Sequence, residues 1–171
     1  MITPKKLQEL YSYMFIGPHI GISVSKGWMP IFVELCHDID LVLGDDKQEF
    51  LWLQVKEKFG SGRFYYGYGK KSSPIKIERI NGEEFRSLTT NRHSSKPKTE
   101  SDAAKREAIS KLVEAAEAKT DKSCMCCGSP GEKLDTGWVI TLCDKHKRIH
   151  QGNQQHGLSG LLWFNEEDQF S

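Results

Sequence analysis

The sequence predicts an α+β fold in which a small antiparallel β-sheet packs on helices. Three observations predict it. Residues 30–43 repeat apolar side chains at helical spacing, and residues 50–68 alternate apolar and polar side chains on either side of a glycine-containing turn. Four of the five cysteines fall within residues 124–143, which gives the C-terminal third an organising centre.

Two helices are predicted before the sheet. Thr3 followed by Pro4 fits the start of a short first helix, because threonine caps a helix and proline is tolerated in its first turn. The second helix spans residues 30–43 and ends at Gly44. Its apolar stripe, with Cys36 as a small additional core residue, consists of Ile31, Phe32, Leu35, Ile39, Val42 and Leu43.

The sheet is predicted from two β-rich runs. Residues 50–58 and 63–68 form a hairpin around a turn at residues 59–62, and residues 75–80 could add a third strand. With the second helix, these elements form an α+β core over residues 1–80.

The remainder divides into a loop and a C-terminal part. Residues 81–100 lose periodicity and predict an exposed basic loop. Residues 101–171 then hold a helix capped by Thr99, a zinc finger at residues 124–150 and a tail. The tail docks back on the core through Leu158, Leu161, Leu162, Trp163 and Phe164.

The zinc finger is predicted from the spacing of four ligands. Cys124 and Cys127 form a C-x₂-C pair followed by Gly128, and Cys143 and His146 form a C-x₂-H pair at the start of a helix. Thiolate and imidazole at this spacing suit one tetrahedral Zn²⁺. The turn that carries Cys124 and Cys127, here called the knuckle, is followed by a strand or hairpin and then by a helix. This order is that of a treble-clef or zinc-ribbon-like finger. Because all four positions are filled by protein, the site is predicted to be structural.

Two neighbouring residues compete as ligands. Cys126 competes with Cys127, although Cys127 has the knuckle spacing and precedes the glycine. His150 competes with His146, because residues four apart lie on the same face of a helix. The spacing favours Cys127 and His146, and both alternatives stay open at this point.

Composition bounds the class of protein. The chain has 171 residues, 37% of them hydrophobic, and a formal net charge of +1, so overall charge predicts no particular partner. It contains no signal-peptide pattern and no apolar run of the length a membrane helix needs. Because a cysteine-based zinc site needs reduced thiols, we expect a cytoplasmic protein.

Three blocks of sequence resemble a known family. They are Gly27-Trp-Met-Pro-Ile-Phe-Val-Glu-Leu-Cys, Val55-Lys-Glu-Lys-Phe-Gly-Ser-Gly-Arg-Phe-Tyr-Tyr, and the Cys124–His146 block with its Gly-Trp-x₂-Thr-Leu-Cys run. In this order they resemble a family of small bacterial and phage proteins without an assigned activity. The resemblance implies a compact zinc-containing protein and carries over no catalytic residue. The segment between Tyr68 and the 101–118 helix is longer here than in that family.

Three functions follow as hypotheses. The first is a non-catalytic phage-type protein that binds a protein partner and inhibits a host or defence component. The second is a nucleic-acid-binding zinc-finger protein, because cations contact phosphates and tyrosines stack on bases. The third, an HNH-like nuclease, needs a general-base histidine ahead of the zinc helix, and none occurs between Cys127 and Cys143. The candidate binding residues are Arg63, Tyr65, Arg86, Arg92, Lys96, Lys98, Lys147 and Arg148.

Overall fold

The chain combines α-helices with small, mostly antiparallel β-sheets, which confirms the predicted α+β class. The computed structural model describes residues 2–16, 21–47, 50–69, 75–80, 83–88, 96–135, 137–152 and 158–164. The α-helices are α1 (Pro4–Leu10), α2 (Met29–Leu43), α3 (Glu100–Thr120), α4 (Asp144–Gly152) and α5 (Ser159–Leu162). The strands are β1 (Ile22–Ser23), β2 (Phe50–Lys58), β3 (Ser61–Tyr68), β4 (Ile75–Ile80), β5 (Glu83–Leu88), β6 (Glu132–Asp135) and β7 (Val139–Leu142). In this part of the chain, no helix is long and apolar enough to cross a membrane.

The main sheet has the order β1-β2-β3. Strands β2 and β3 form the predicted antiparallel hairpin, with Lys58 paired to Ser61 next to the turn. The turn is therefore two residues long, shorter than predicted, and both Phe59 and Gly60 have positive φ, 54° and 70°. The sheet differs from the antiparallel prediction because the two-residue strand β1 runs parallel to β2.

The predicted loop at residues 81–100 is wrong in its first half. Residues 83–88 form β5, which pairs antiparallel with β4 in a separate two-stranded sheet. Residues 75–80 are a strand, but they do not extend the main sheet as predicted. Periodicity missed β5 because a two-stranded ribbon satisfies backbone groups by pairing and does not require an alternating apolar face.

The core lies between α2 and one face of the main sheet. The ring centroid of Phe32 on α2 is 5.2 Å from that of Trp52 and 5.3 Å from that of Phe64. Helix α3 adds Ile109, Val113 and Ala116 to the same buried cluster, which also contains Leu158 and Leu162 from the C-terminal segment. Cys36 is fully buried among these residues.

Local signals place the helix ends. Thr3 Oγ1 accepts a hydrogen bond from the Lys6 amide at 3.3 Å, and Thr99 Oγ1 accepts one from the Asp102 amide at 3.1 Å. These contacts satisfy amides that have no partner inside the first turn of a helix. Gly44 ends α2 with φ of 59°, a conformation that glycine adopts without steric cost.

Candidate metal centre

Three cysteines and one histidine converge to form a candidate metal site. The ligand atoms of Cys124, Cys127, Cys143 and His146 all lie within 4.8 Å of one another. The distance between the sulfurs of Cys127 and Cys143 is 3.8 Å, and His146 Nδ1 lies 3.4 Å from the Cys124 sulfur and 3.3 Å from the Cys143 sulfur. Ideal tetrahedral zinc coordination places two sulfurs about 3.8 Å apart and a sulfur and a nitrogen about 3.6 Å apart. The donor set therefore fits a single structural metal ion.

The ligands come from three consecutive local structures. Cys124 and Cys127 bracket a knuckle that the Gly128 amide closes by donating to the Cys124 carbonyl at 2.8 Å. Strands β6 and β7 form an antiparallel hairpin that ends directly before Cys143, and His146 lies in the first turn of α4. This order of knuckle, hairpin and helix is the treble-clef arrangement that the spacing predicted.

The knuckle is docked against the N-terminal core through a close backbone contact. A Cβ atom on Gly27 would lie 2.2 Å from the Cys124 carbonyl oxygen and 2.7 Å from the Cys127 amide nitrogen. A Cβ on Gly128, whose φ is 76°, would lie 2.7 Å from the Gly27 oxygen. Only glycine allows two backbone segments to approach this closely, so both positions require it.

Hydrogen bonds complete the docking. The Gly27 amide donates to the Met125 carbonyl at 2.8 Å, and Trp28 Nε1 donates to the Ser123 carbonyl at 2.7 Å. The Met125 amide in turn donates to the Thr141 carbonyl on β7 at 2.9 Å. Met125 and Trp28 are both fully buried. Sequence reasoning missed this docking, and the adjacent Gly27-Trp28 pair was the signal that could have revealed it.

Hydrogen bonding favours the thiolate form of one ligand sulfur. The Cys126 thiol and the backbone amides of Cys126, Cys127 and Cys143 hydrogen-bond to the Cys124 sulfur and lower its pKa to about 3. The same contact with Cys124 raises the pKa of the Cys126 thiol. Cys124 therefore favours the thiolate, which is the metal-binding form, while Cys126 favours the protonated thiol.

Both competing ligands lie outside the cluster. Among the described residues, the group that can hold an ion comprises Cys124, Cys127, Cys143 and His146, without Cys126 or His150. The Nδ1 atom of His150 is buried and has no hydrogen-bond partner in the described part of the chain.

The predicted binding residues are distributed over several surfaces. Arg63 and Tyr65 lie on β3, and Lys147 and Arg148 lie on α4. Lys96 and Lys98 precede α3, where the Lys98 amide donates to Asp102 Oδ2 at 2.9 Å.

The two arginines of the predicted loop are not brought into a described site. Arg86 is a strand residue paired with Ile77, so its backbone is not part of a loop as predicted. Arg92 lies outside the described residues. The idea of one continuous basic loop therefore has no support in the described structure.

Comparisons with known proteins provide no assignment for this centre. No protein-family model, curated protein or solved structure matches the chain. The chemistry of the site is therefore argued from its own geometry.

Proposed function

We propose that this chain is a non-catalytic interaction protein stabilised by one structural Zn²⁺. The observation that carries the proposal is a four-ligand cluster whose knuckle is built into the protein core. Four protein ligands leave no coordination position for a water or substrate, which a catalytic zinc needs. The ion would cross-link the knuckle to the start of α4.

Zinc is the metal that the donor set favours. Three thiolates and one imidazole are soft to borderline ligands, and no carboxylate belongs to the cluster among the described residues. Tetrahedral sites of this composition suit zinc, whereas magnesium and calcium prefer oxygen ligands.

A protein partner was the first expectation from the sequence, together with a phage or prophage role implied by the family resemblance. A hydrophobic groove on such a partner would suit the apolar side chains of residues 161–164. Leu158 and Leu162 are buried in the core, however, and Leu161 is exposed by 44%. Trp163 and Phe164 are half-buried against the core. This segment therefore offers a partner less apolar surface than its sequence suggests.

Nucleic acid is the second candidate, and one observation favours it. Lys56 and Arg63 form a cross-strand pair next to the exposed Tyr65. Cations beside exposed aromatic rings suit a chain of phosphates and bases. An HNH-like nuclease gains no support, because no histidine lies between Cys127 and Cys143.

Metal analysis of purified variants tests the proposed centre. We expect one zinc per chain in the wild type and in Cys126→Ser, because Cys126 does not belong to the cluster of ligand atoms. Cys127→Ser should lose most of its zinc and melt at a lower temperature, because structural zinc binding is coupled to folding. Zinc content and melting of Cys127→Ser equal to the wild type would disprove the ligand assignment. Metal-dependent turnover of an oligonucleotide would disprove the non-catalytic role.

A further inference from the structure

One face of the β2–β3 hairpin carries cations and an aromatic ring. Lys56 pairs directly with Arg63, and directly paired residues of an antiparallel sheet project from the same face. Tyr65 is two residues beyond Arg63 and therefore shares this face, whereas Val55 and Phe64 form the buried pair on the opposite one. The cationic side of the hairpin thus faces away from the core.

Cations and aromatic rings alternate on this surface. Lys56 Nζ lies 5.4 Å from the centroid of the Tyr65 ring, and Lys58 Nζ lies 5.3 Å from that of Phe59. Tyr65 is 38% exposed and Phe59, at the turn, is 64% exposed. An exposed ring next to a cation can stack on a base while the cation contacts the adjoining phosphate.

Phe59 is unfavourable for stability in two ways. Its φ of 54° is a left-handed conformation that is uncommon for a bulky residue. Two-residue hairpin turns with two positive φ angles favour Asn-Gly, because asparagine tolerates this conformation. The side chain also exposes most of its apolar surface to solvent. An exposed aromatic ring held in a strained turn points to a role in binding.

The turn is fixed to the metal-binding part of the molecule. Thr141 Oγ1 on β7 donates to the Gly60 carbonyl at 2.7 Å, and a Cβ on Gly60 would lie 3.3 Å from Val139 Cγ1. Trp138 directly precedes Val139 and is 46% exposed. Two hairpin ends that each carry an exposed aromatic residue are therefore held side by side by the fold.

The cations of this face are only partly neutralised, because the positive charge of Arg63 helps to lower the pKa of the nearby Asp121 carboxyl. Within the described part of the chain, Lys56, Lys58 and Arg63 form no ion pair with a carboxylate. Nearby, Lys133 is paired with Asp121 at 2.8 Å. Positive charges that form no salt bridge among the described residues, beside exposed rings, are complementary to a polyanion that also presents flat bases.

We propose that this hairpin face binds single-stranded nucleic acid. Bases stack on Phe59 and Tyr65, with Trp138 as an additional platform, and phosphates contact Lys56, Lys58 and Arg63. Unpaired strands are favoured over a duplex because only an unpaired base exposes a face for stacking. This inference rests on the proposed interaction function and names its partner.

Fluorescence anisotropy of a fluorescein-labelled oligothymidylate tests the proposal. A length of about 20 nucleotides is enough to cover a single-strand binding site. Phe59→Asn is the decisive variant. It should weaken binding roughly 5- to 100-fold by removing a stacking platform. Its melting temperature should equal or exceed that of the wild type, because Asn-Gly suits this turn.

The double variant Lys56→Gln/Arg63→Gln tests the phosphate contacts. The slope of log Kd against log salt concentration should fall by the equivalent of about two phosphate contacts. Lys111→Gln on α3, an exposed lysine paired with Glu107, is the control and should bind as wild type.

Several outcomes would overturn the assignment. These are wild-type binding weaker than about 100 µM at low salt, unchanged affinity in Phe59→Asn, or equal affinity for a duplex of the same length. If the wild type binds no oligonucleotide but co-purifies with another protein, and Phe59→Asn no longer retains that protein, the face would be assigned to a protein partner instead. If the wild type holds one zinc and binds no oligonucleotide, only this inference fails. If the oligonucleotide is cleaved, the proposed non-catalytic function fails.

Discussion

Gly27 and Gly128 allow two backbone segments to approach more closely than any side chain would permit. Gly27 precedes the buried Trp28, whose indole nitrogen donates to the Ser123 carbonyl just before the first ligand, Cys124. The contacts between Gly27 and the knuckle join backbone to backbone, so no change of side-chain rotamer could relieve the clash of an added Cβ. The position of the knuckle relative to the core therefore depends on the absence of a single methyl group.

We expect Gly27→Ala to lower the free energy of unfolding by on the order of 3 kcal/mol, because its Cβ would lie 2.2 Å from a carbonyl oxygen that cannot move alone. Zinc affinity should fall with it, because the knuckle must shift. Urea unfolding followed by tryptophan fluorescence measures the first effect, and competition with a metal indicator measures the second. Gly152→Ala is the control: nothing lies within 4 Å of its added Cβ, so stability should be unchanged or slightly higher. Equal stabilities of Gly27→Ala and wild type would disprove the docking.

At the scale of elements, the last turn of α3 protects the open edge of the main sheet. Thr120 Oγ1 accepts a hydrogen bond from the Gly62 amide, and Glu117 Oε1 accepts one from the Phe64 amide, both at 2.8 Å. These amides lie on β3, which is an edge strand. Pairing them with side chains prevents another strand from adding there, which is a common route to aggregation.

Thr120→Val tests this edge protection. Valine has nearly the same shape but cannot accept the Gly62 hydrogen bond, so a buried amide loses its partner. We expect a loss of about 1–3 kcal/mol in the free energy of unfolding. Chemical denaturation measures the loss, and amide exchange at Gly62 should accelerate. Ser110→Ala on α3, a half-buried serine whose hydroxyl donates to the Glu114 carboxylate of the same helix at 3.1 Å, should change stability by less than about 0.5 kcal/mol. A similar small change in Thr120→Val would show that α3 does not cap β3.

At the scale of the whole molecule, the metal centre and the α+β core form one hydrophobic unit. Cys124, Met125, Ile140 and Leu142 belong to the same buried cluster as the aromatic residues of α2 and the main sheet. A finger attached by a flexible linker could unfold alone. Here the knuckle supplies side chains that the N-terminal core needs to exclude water.

We therefore expect zinc removal to destabilise the entire chain. Zinc binding contributes on the order of 10 kcal/mol to the folding of small finger peptides, which is comparable to the total stability of a typical domain. After treatment with a strong chelator, hydrogen exchange should accelerate together in α2, in β2–β3 and in residues 124–152, and added zinc should restore protection. Loss of protection confined to residues 124–152, with α2 unchanged, would contradict this prediction.

The sequence by itself determined the local elements and the identity of the candidate ligands. Apolar periodicity was sufficient for α2 and for the β2–β3 hairpin, and ligand spacing was sufficient for Cys124, Cys127, Cys143 and His146. These features depend on residues that are close in the sequence, whose spacing determines which face of a helix or strand their side chains share.

Only the tertiary structure decided how the elements combine. It placed the knuckle against Gly27, paired β5 with β4 instead of leaving a loop, and held the Phe59 turn against β7. Each of these contacts joins residues whose approach depends on backbone geometry and long-range packing. Periodicity contains no information about such contacts, because it records only which face of an element is apolar and not which other surface covers it.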